Sequence, residues 1–212
     1  EKLSENAQEI KPNVMTAVPL LYEKIQKNPA KTVYNEMLVW YFLQRKLFYQ
    51  AFMQAKAVDR RKNLRGTKIF EIGRLALNNK DYKNAVKIFE HLSEKYKKEP
   101  IYARAKNFLM KSKEELIKNT YPVDITKIRS LAEDYQQSIN ELGLTTQTVE
   151  SAKNMALLHA FYLDDKDKAI EILNQVIKLP RVRQTVISSA KTDLADIYLL
   201  KDEWWEATLL YS

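Results

Sequence analysis

The sequence contains no cysteine, and several other residue types are scarce. Without cysteine the chain forms no disulfide bond, holds no metal through thiolates and uses no thiol nucleophile. Glycine occurs 3 times and proline 6 times in 212 residues, so the residues that interrupt helices are rare. With 45% apolar and 29% charged residues, the composition favours an all-α protein.

Long apolar runs and catalytic motifs are also missing. No segment reaches about 18 consecutive apolar residues, the length that spans a bilayer. The two histidines, His91 and His159, lie in different parts of the chain, and neither has a second histidine four positions away on its helix, as a zinc-binding helix would. Asp164, Asp165 and Asp167 fit a turn and a helix start, where acidic side chains suit the helix dipole. They do not fit a calcium-binding loop, because the glycine of such a loop is absent. No phosphate-binding loop or nucleophile motif occurs, so we predict no enzyme and no catalytic, metal or cofactor site.

The stretch from Ile69 to Glu94 shows how the chain is organised. Apolar and small residues recur every three or four positions on both sides of a short polar turn, Asn78 to Asp81. Two helices joined by so short a turn lie antiparallel. Gly73 and Ala85 stand on the apolar stripes, and glycine in a helix costs about 1 kcal/mol relative to alanine. We therefore expect the two helices to approach closely at these small residues.

The small residue of the second helix recurs along the chain. Two successive steps of 34 residues precede Ala85, and steps of 84 and 38 residues follow it, giving Ala17, Ala51, Ala85, Ala169 and Ala207. A helix–turn–helix unit with a period of 34 residues resembles the tetratricopeptide repeat. This resemblance implies an all-α, right-handed solenoid of antiparallel helix pairs with about six repeats.

The resemblance extends to the first helix of each repeat, where the family has a small residue. Gly73 and Ala195 match that position, whereas Val39 and Leu157 depart from it. We therefore expect the helix pairs of Val39 and Leu157 to lie slightly further apart.

The repeats divide a single predicted domain, residues 1–212, into six parts. Their approximate ranges are 1–31 (partial), 32–65, 66–99, 100–149, 150–183 and 184–212 (truncated). The fourth is about 16 residues too long for the period, which predicts a hairpin with lengthened helices, a cap at Asp124 and a stop at Gly143. The chain begins without methionine and stops inside an apolar helix, so we interpret it as part of a longer protein.

The first 31 residues allow two interpretations. Residues 1–10 fit a frayed helix with Leu3, Ala7 and Ile10 on one face. Pro19 suits the first turn of the helix that ends at Pro29, or it lies within a helix that begins near Val14.

The net charge is +8, and the densest basic run lies at the junction of two repeats. We call Lys56, Arg60, Arg61, Lys62 and Arg65 the basic flank. Such a run suits an acidic partner, phosphates or an anionic surface, or it is a solvated helix end whose cations favour the helix dipole. No aromatic residues alternate with these cations, so we predict no nucleic-acid binding.

The resemblance also implies a binding surface. In tetratricopeptide-repeat proteins the first helix of each repeat lines a concave groove. The matching residues, which we call the inner-face set, are Trp40, Leu43, Phe70, Arg74, Met155, Leu158, Phe161 and Tyr162. The acids that accompany them are Glu36, Glu71, Asp193 and Asp196. The alternative is that neighbouring repeats cover these side chains.

One known groove function is excluded by the residues present. Some members of the family bind an acidic C-terminal peptide through Lys and Asn at these positions, and Glu36, Trp40 and Glu71 stand there instead. The surface therefore favours an amphipathic or basic protein segment. We predict a non-catalytic protein-interaction scaffold with a protein or peptide partner.

The C-terminal segment, residues 193–212, ends in the stretch WEATLLYS, residues 205–212, and resembles tetratricopeptide-repeat proteins of the Bacteroidetes cell envelope. This implies a periplasmic or outer-membrane-associated location, with the cytoplasm as the alternative. It also implies a second function, a structural or regulatory subunit of an envelope assembly that holds a membrane-associated partner through the basic flank.

Overall fold

The structure is a computed structural model that describes residues 14–211, with side chains from residue 18 onward. Eleven helices make up the regular structure of this part of the chain, which contains no strand. They are α1 Val14–Lys27, α2 Val33–Gln44, α3 Phe48–Lys62, α4 Thr67–Asn78, α5 Tyr82–Lys95, α6 Tyr102–Lys118, α7 Ile125–Leu142, α8 Val149–Tyr162, α9 Lys166–Lys178, α10 Gln184–Leu199 and α11 Trp204–Tyr211. Within residues 14–211, no helix is both long and apolar enough to cross a membrane.

The chain divides into two compact units, Glu1–Ile101 and Tyr102–Ser212, where the 34-residue period breaks. In the first unit each helix from α1 to α5 packs against the next, and α3 also contacts α5. In the second unit α6 to α11 pack in the same way, with further contacts of α8 with α6 and α10. Each unit is therefore a stack of helical hairpins, which confirms the all-α repeat architecture. That the two units form a single domain stays a prediction.

The hairpin of α4 and α5 has the predicted turn and the predicted close approach. The carboxylate of Asp81 accepts a hydrogen bond from the backbone N–H of Asn84 at 3.3 Å and caps α5. A Cβ atom added to Gly73 would lie 2.8 Å from Phe89 Cζ and 3.0 Å from Ile88 Cγ2. Any larger residue at this point would therefore require the side chains of Phe89 and Ile88 to shift.

The repeated alanines confirm the register of the second helices. Ala51, Ala85, Ala169 and Ala207 are fully buried, each on the second helix of a hairpin. Ala17 falls among the residues whose side chains lie outside the described part. A side chain of this size allows the two helices of a hairpin to approach closely.

The lengthened hairpin is present as predicted. The helices α6 and α7 have 17 and 18 residues, against 12 to 15 in α2 to α5. The carboxylate of Asp124 accepts hydrogen bonds from the N–H groups of Thr126 and Lys127 at 3.0 and 3.4 Å. Gly143 follows α7 with φ +76°, a left-handed value that favours glycine and ends the helix.

At the N-terminus, the helix that begins at Val14 contains Pro19, so the second interpretation of this proline is the observed one. The helix expected over residues 1–10 lies outside the described residues.

Candidate partner-binding site

The inner-face set lies on α2 and α4 of the first compact unit and on α8 of the second. The side chains of Trp40, Arg74 and Phe161 are exposed, with 49% of Trp40 and 52% of Phe161 accessible to solvent. Leu43 and Tyr162 are partly buried. Five of the eight predicted residues are therefore at least partly accessible to a partner.

Three members of the set are interior residues, which corrects the sequence prediction. Phe70, Met155 and Leu158 are buried, with at most 3% of each residue exposed. Phe70 packs edge-to-face against Phe89, with the ring centroids 5.5 Å apart, and so belongs to the contact between α4 and α5. The prediction failed here because a first helix is covered on several sides, and repeat position alone does not distinguish its open side.

The four acids predicted beside the groove already have partners in the chain. Glu71 binds Arg74 on its own helix at 2.7 Å, and Glu36 binds Lys62 of the basic flank. In the second unit Asp193 lies 3.3 Å from Lys153, and Asp196 accepts a hydrogen bond from the Tyr211 hydroxyl. A basic partner would compete with these contacts, so the acids favour a basic segment less than their sequence positions suggested.

The first helices of the second unit are joined by polar contacts that the sequence did not indicate. The hydroxyl of Ser151 donates to Asn107 Oδ1 at 3.0 Å, which connects α8 to α6. The ammonium of Lys118 lies 5.4 Å from the ring centroid of Tyr162, a cation–π contact between the same helices. These contacts engage Ser151 and Tyr162 of α8, and they leave Phe161 as its exposed aromatic residue.

The basic flank is also engaged with its own chain. Arg61 donates to the buried Asn35 at 2.9 Å, and Lys62 pairs with Glu36, so both connect the end of α3 to the start of α2. Arg65 lies 3.9 Å from Glu99. The Lys56 ammonium lies 4.8 Å from the ring centroid of Phe52, and Arg60 is exposed. Part of the basic flank therefore forms hydrogen bonds and ion pairs within the first unit.

A buried carboxylate near this flank escaped the sequence analysis. Asp59 accepts hydrogen bonds from the N–H of Gly66 at 3.0 Å and from the Tyr96 hydroxyl at 2.7 Å. Burial and the bond to Asp59 raise the pKa of Tyr96 well above its usual range, so this hydroxyl stays protonated. The cluster fastens the turn between α3 and α4 to the end of α5, and no local pattern connects residues so distant in sequence.

The second unit contains a cleft of about 510 Å³ between α7 and the turn from α8 to α9. Arg129, Glu133 and Lys168 contribute charges of both signs. Nδ1 of His159 lies 3.3 Å from a carboxylate oxygen of Asp165 at the same cleft. Across residues 14–211, no three His, Asp or Glu side chains come together as a metal-binding group.

The fold and these surfaces define a helical-repeat protein with partly open inner positions. Solved structures with the same fold include MamA 41-end from Desulfovibrio magneticus RS-1, with a TM-score of 0.55 and 15% identity over 85% of this chain and 90% of that chain. TTC0263, a thermophilic TPR protein in Thermus thermophilus, has a TM-score of 0.55 and 15% identity over 85% and 88%.

A third structure, the nearly identical TPR-like repeats of a Podospora anserina putative kinesin light chain, has a TM-score of 0.54 and 16% identity over 86% and 92%. The fold of this chain is thus that of the tetratricopeptide-repeat proteins, which confirms the resemblance at the level of structure. No protein-family model matches the sequence, and no curated protein does either.

Proposed function

We propose that this protein is a non-catalytic scaffold that binds a segment of another protein on its inner face. The observation that carries the proposal is Trp40, which is 49% exposed on a helix that buries Leu38, Val39 and Phe42. A large, rigid indole on a well-packed helix loses little side-chain entropy when a partner covers it. Phe161 has the same character in the second compact unit.

The ion pair of Glu71 and Arg74 gives this surface an oriented hydrogen-bond donor. Arg74 lies 34 residues after Trp40, at the equivalent position of the next repeat. Nε and Nη2 of its guanidinium both donate to Glu71, at 3.1 and 2.7 Å, which orients the group. Further N–H donors remain for a carboxylate or a backbone carbonyl of the partner. The surface therefore favours an amphipathic segment with apolar anchors and one acceptor group.

The alternative function uses the basic flank to hold a membrane-associated partner in an envelope assembly. The contacts of Arg61 with Asn35 and of Lys62 with Glu36 favour the inner face over the flank, because an acidic partner would have to replace them. The periplasmic or outer-membrane-associated location stays a prediction, with the cytoplasm as its alternative.

The test begins with affinity purification of the partner from the native source and continues with binding measurements on variants. We expect Trp40→Ala and Phe161→Ala to weaken binding by about 2 kcal/mol or more, the loss typical of a central aromatic anchor. Tyr121→Ala is the matched control, because Tyr121 is 95% exposed and lies outside the inner face.

Arg60→Glu and Arg65→Glu test the flank without breaking the contacts of Arg61 and Lys62. Thermal unfolding of every variant separates lost binding from lost stability. If the flank variants abolish binding while the two inner-face variants retain it, the inner face is not the binding surface and the flank function replaces it.

A further inference from the structure

The outward positions of the second helices divide into two kinds. Residues two before and two after the buried alanine point to the opposite side of the helix, because each step of two turns the chain by about 200°. These positions are Tyr49 and Met53 on α3, Lys83 and Lys87 on α5, Asp167 and Glu171 on α9, and Trp205 and Leu209 on α11. All eight are exposed. On α5 and α9 they are charged, as a solvated face requires, whereas on α3 and α11 they are apolar.

On α3 the apolar pair has a basic border. The Lys87 ammonium of α5 lies 5.4 Å from the ring centroid of Tyr49, and Met53 is exposed one turn further along α3. Lys56 extends the positive charge along the same helix, over the ring of Phe52. We call Tyr49, Met53, Lys56 and Lys87 the basic-bordered patch of the first compact unit.

On α11 the apolar pair has an acidic border. Trp205 and Leu209 are 82% and 77% exposed, and Glu206 is exposed between them in sequence. Lys201 Nζ lies 2.8 Å from Glu203 and 2.9 Å from Asp167, so these two carboxylates share one ammonium group at the start of α11. With Glu206 the border has three acids against one cation and keeps a net negative charge. We call Trp205, Leu209, Glu203 and Glu206 the acid-bordered patch of the second unit.

We propose that the acid-bordered patch of one molecule docks on the basic-bordered patch of a second copy, so that the protein assembles head to tail. The apolar pairs cover each other, and the carboxylates of one border face the ammonium groups of the other. Contact between two acid-bordered patches would place like charges together, and the same carboxylates oppose an anionic lipid surface. This inference concerns the outer faces and does not depend on the proposed inner-face function.

The size of the patches sets the expected strength. A stable contact covers about 800 Å² on each partner, more than a few side chains on an eight-residue helix provide. The association is therefore weak and depends on concentration. Because the two surfaces differ, each molecule retains one open patch after docking, and growth continues to short chains or a closed ring.

Sedimentation velocity of the whole chain from micromolar to millimolar concentration tests the assembly. We expect the mean mass to rise with concentration. Trp205→Asp with Leu209→Glu gives α11 the outward residue types of α9, and Tyr49→Lys with Met53→Lys gives α3 those of α5. Each double variant should weaken self-association at least tenfold. Ile125→Asp, at an exposed apolar residue of α7 outside both patches, should leave it unchanged.

Mixing the two double variants provides the decisive comparison. Each retains one intact patch, so the mixture should form a 1:1 dimer and nothing larger, while each variant alone stays monomeric. Thermal unfolding should match that of the parent protein, because the new residues are those that neighbouring helices carry at the same positions. A parent protein that stays monomeric at millimolar concentration overturns the proposal. A mixture of the two double variants that stays monomeric also overturns the proposal. Self-association of the Tyr49 and Met53 double variant in the absence of the other variant does so as well.

Discussion

At the scale of single residues, many charged side chains of this protein are engaged with its own chain. Asp59 binds a backbone N–H and a tyrosine hydroxyl, and Glu114 binds Tyr135 and Lys118. Burial makes these bonds consequential, because a buried carboxylate that loses its partners retains the full cost of leaving water. The net charge of +8 therefore overstates the positive charge that is available to bind an acidic partner.

Replacing Ala85 with leucine should destabilise the protein by about 1–3 kcal/mol, because the larger side chain overpacks the contact between α4 and α5. Ala85 is fully buried, and the paired helix is so close that Gly73 has no room for a Cβ. Ala57→Leu, on the partly exposed side of α3, is the control and should cost much less. Denaturant unfolding measures both variants. Equal stability of the two variants would contradict the repeat register.

The stability of the fold should depend on pH through His91. Partial burial, followed by the charge of Lys56, lowers the pKa of His91 below 6.5, with Lys95 acting in the same direction. The charges of Glu94 and Asp59 oppose this shift. With a depressed folded-state pKa, the unfolded chain binds the proton first as the pH falls. The contribution of His91 is thus fully present above about pH 6.5 and decreases below that pH.

The measurement is denaturant unfolding at several pH values between about 5 and 7, where the unperturbed histidine titrates. His91→Gln should flatten this part of the profile. An NMR titration of the parent protein would contradict the prediction if it placed the pKa of His91 at or above 6.5.

At the scale of elements, the long hairpin of α6 and α7 has a buried polar contact between its two helices. The buried Tyr135 of α7 donates from its hydroxyl to Glu114 of α6 at 2.8 Å. Burial and then the charge of Glu114 raise the pKa of Tyr135 well above its usual range. Lys118, one turn beyond Glu114, pairs with the same carboxylate. The lengthened helices are therefore fastened to each other by a chain of bonds as well as by apolar contact.

Tyr135→Phe should destabilise the second compact unit by about 1–3 kcal/mol, because Glu114 stays buried without the hydroxyl that binds it. Tyr121→Phe is the matched control. It removes the same atom from a side chain that is 95% exposed, and its stability should be unchanged. Thermal or denaturant unfolding compares the two variants. A loss of stability in the Tyr121 variant as large as that in the Tyr135 variant would contradict the role of the Glu114 bond.

At the scale of the whole molecule, each compact unit contains its own buried core of stacked hairpins. In such repeat structures stability is approximately a sum of terms within repeats and between neighbours. Local opening therefore has different free energies in different hairpins. The units meet in sequence at Ile101 and Tyr102, where the regular 34-residue spacing stops.

Hydrogen exchange should reveal this local character. We expect Ala85→Leu to speed the exchange of amides in α4 and α5 more than in α8 and α9, because the overpacked contact lies within one hairpin. Ala57→Leu again serves as the control. An equal acceleration in all helices would indicate that the chain opens as a single cooperative unit instead.

The helices, their pairing and their register could be predicted from the amino-acid sequence alone. Apolar spacing, turn residues and the recurring alanine act over a few residues, so Gly73, Ala85 and the cap at Asp124 could be identified without coordinates. The resemblance to tetratricopeptide repeats also indicated which helices carry the inner-face positions. These features are local, and the energies that fix them depend mainly on neighbours within one hairpin.

Which of those positions remain exposed depends on how the helices pack in three dimensions. Phe70, Met155 and Leu158 are interior because neighbouring helices cover them, whereas Trp40 is exposed although it stands at the same repeat position as Leu158. Phe161 is exposed as well. The internal partners of Glu36 and Arg61, and the buried bond of Asp59 with Tyr96, join residues 26 to 37 positions apart. Burial and pairing at such distances depend on how whole helices pack, and no short-range pattern in the sequence encodes that packing.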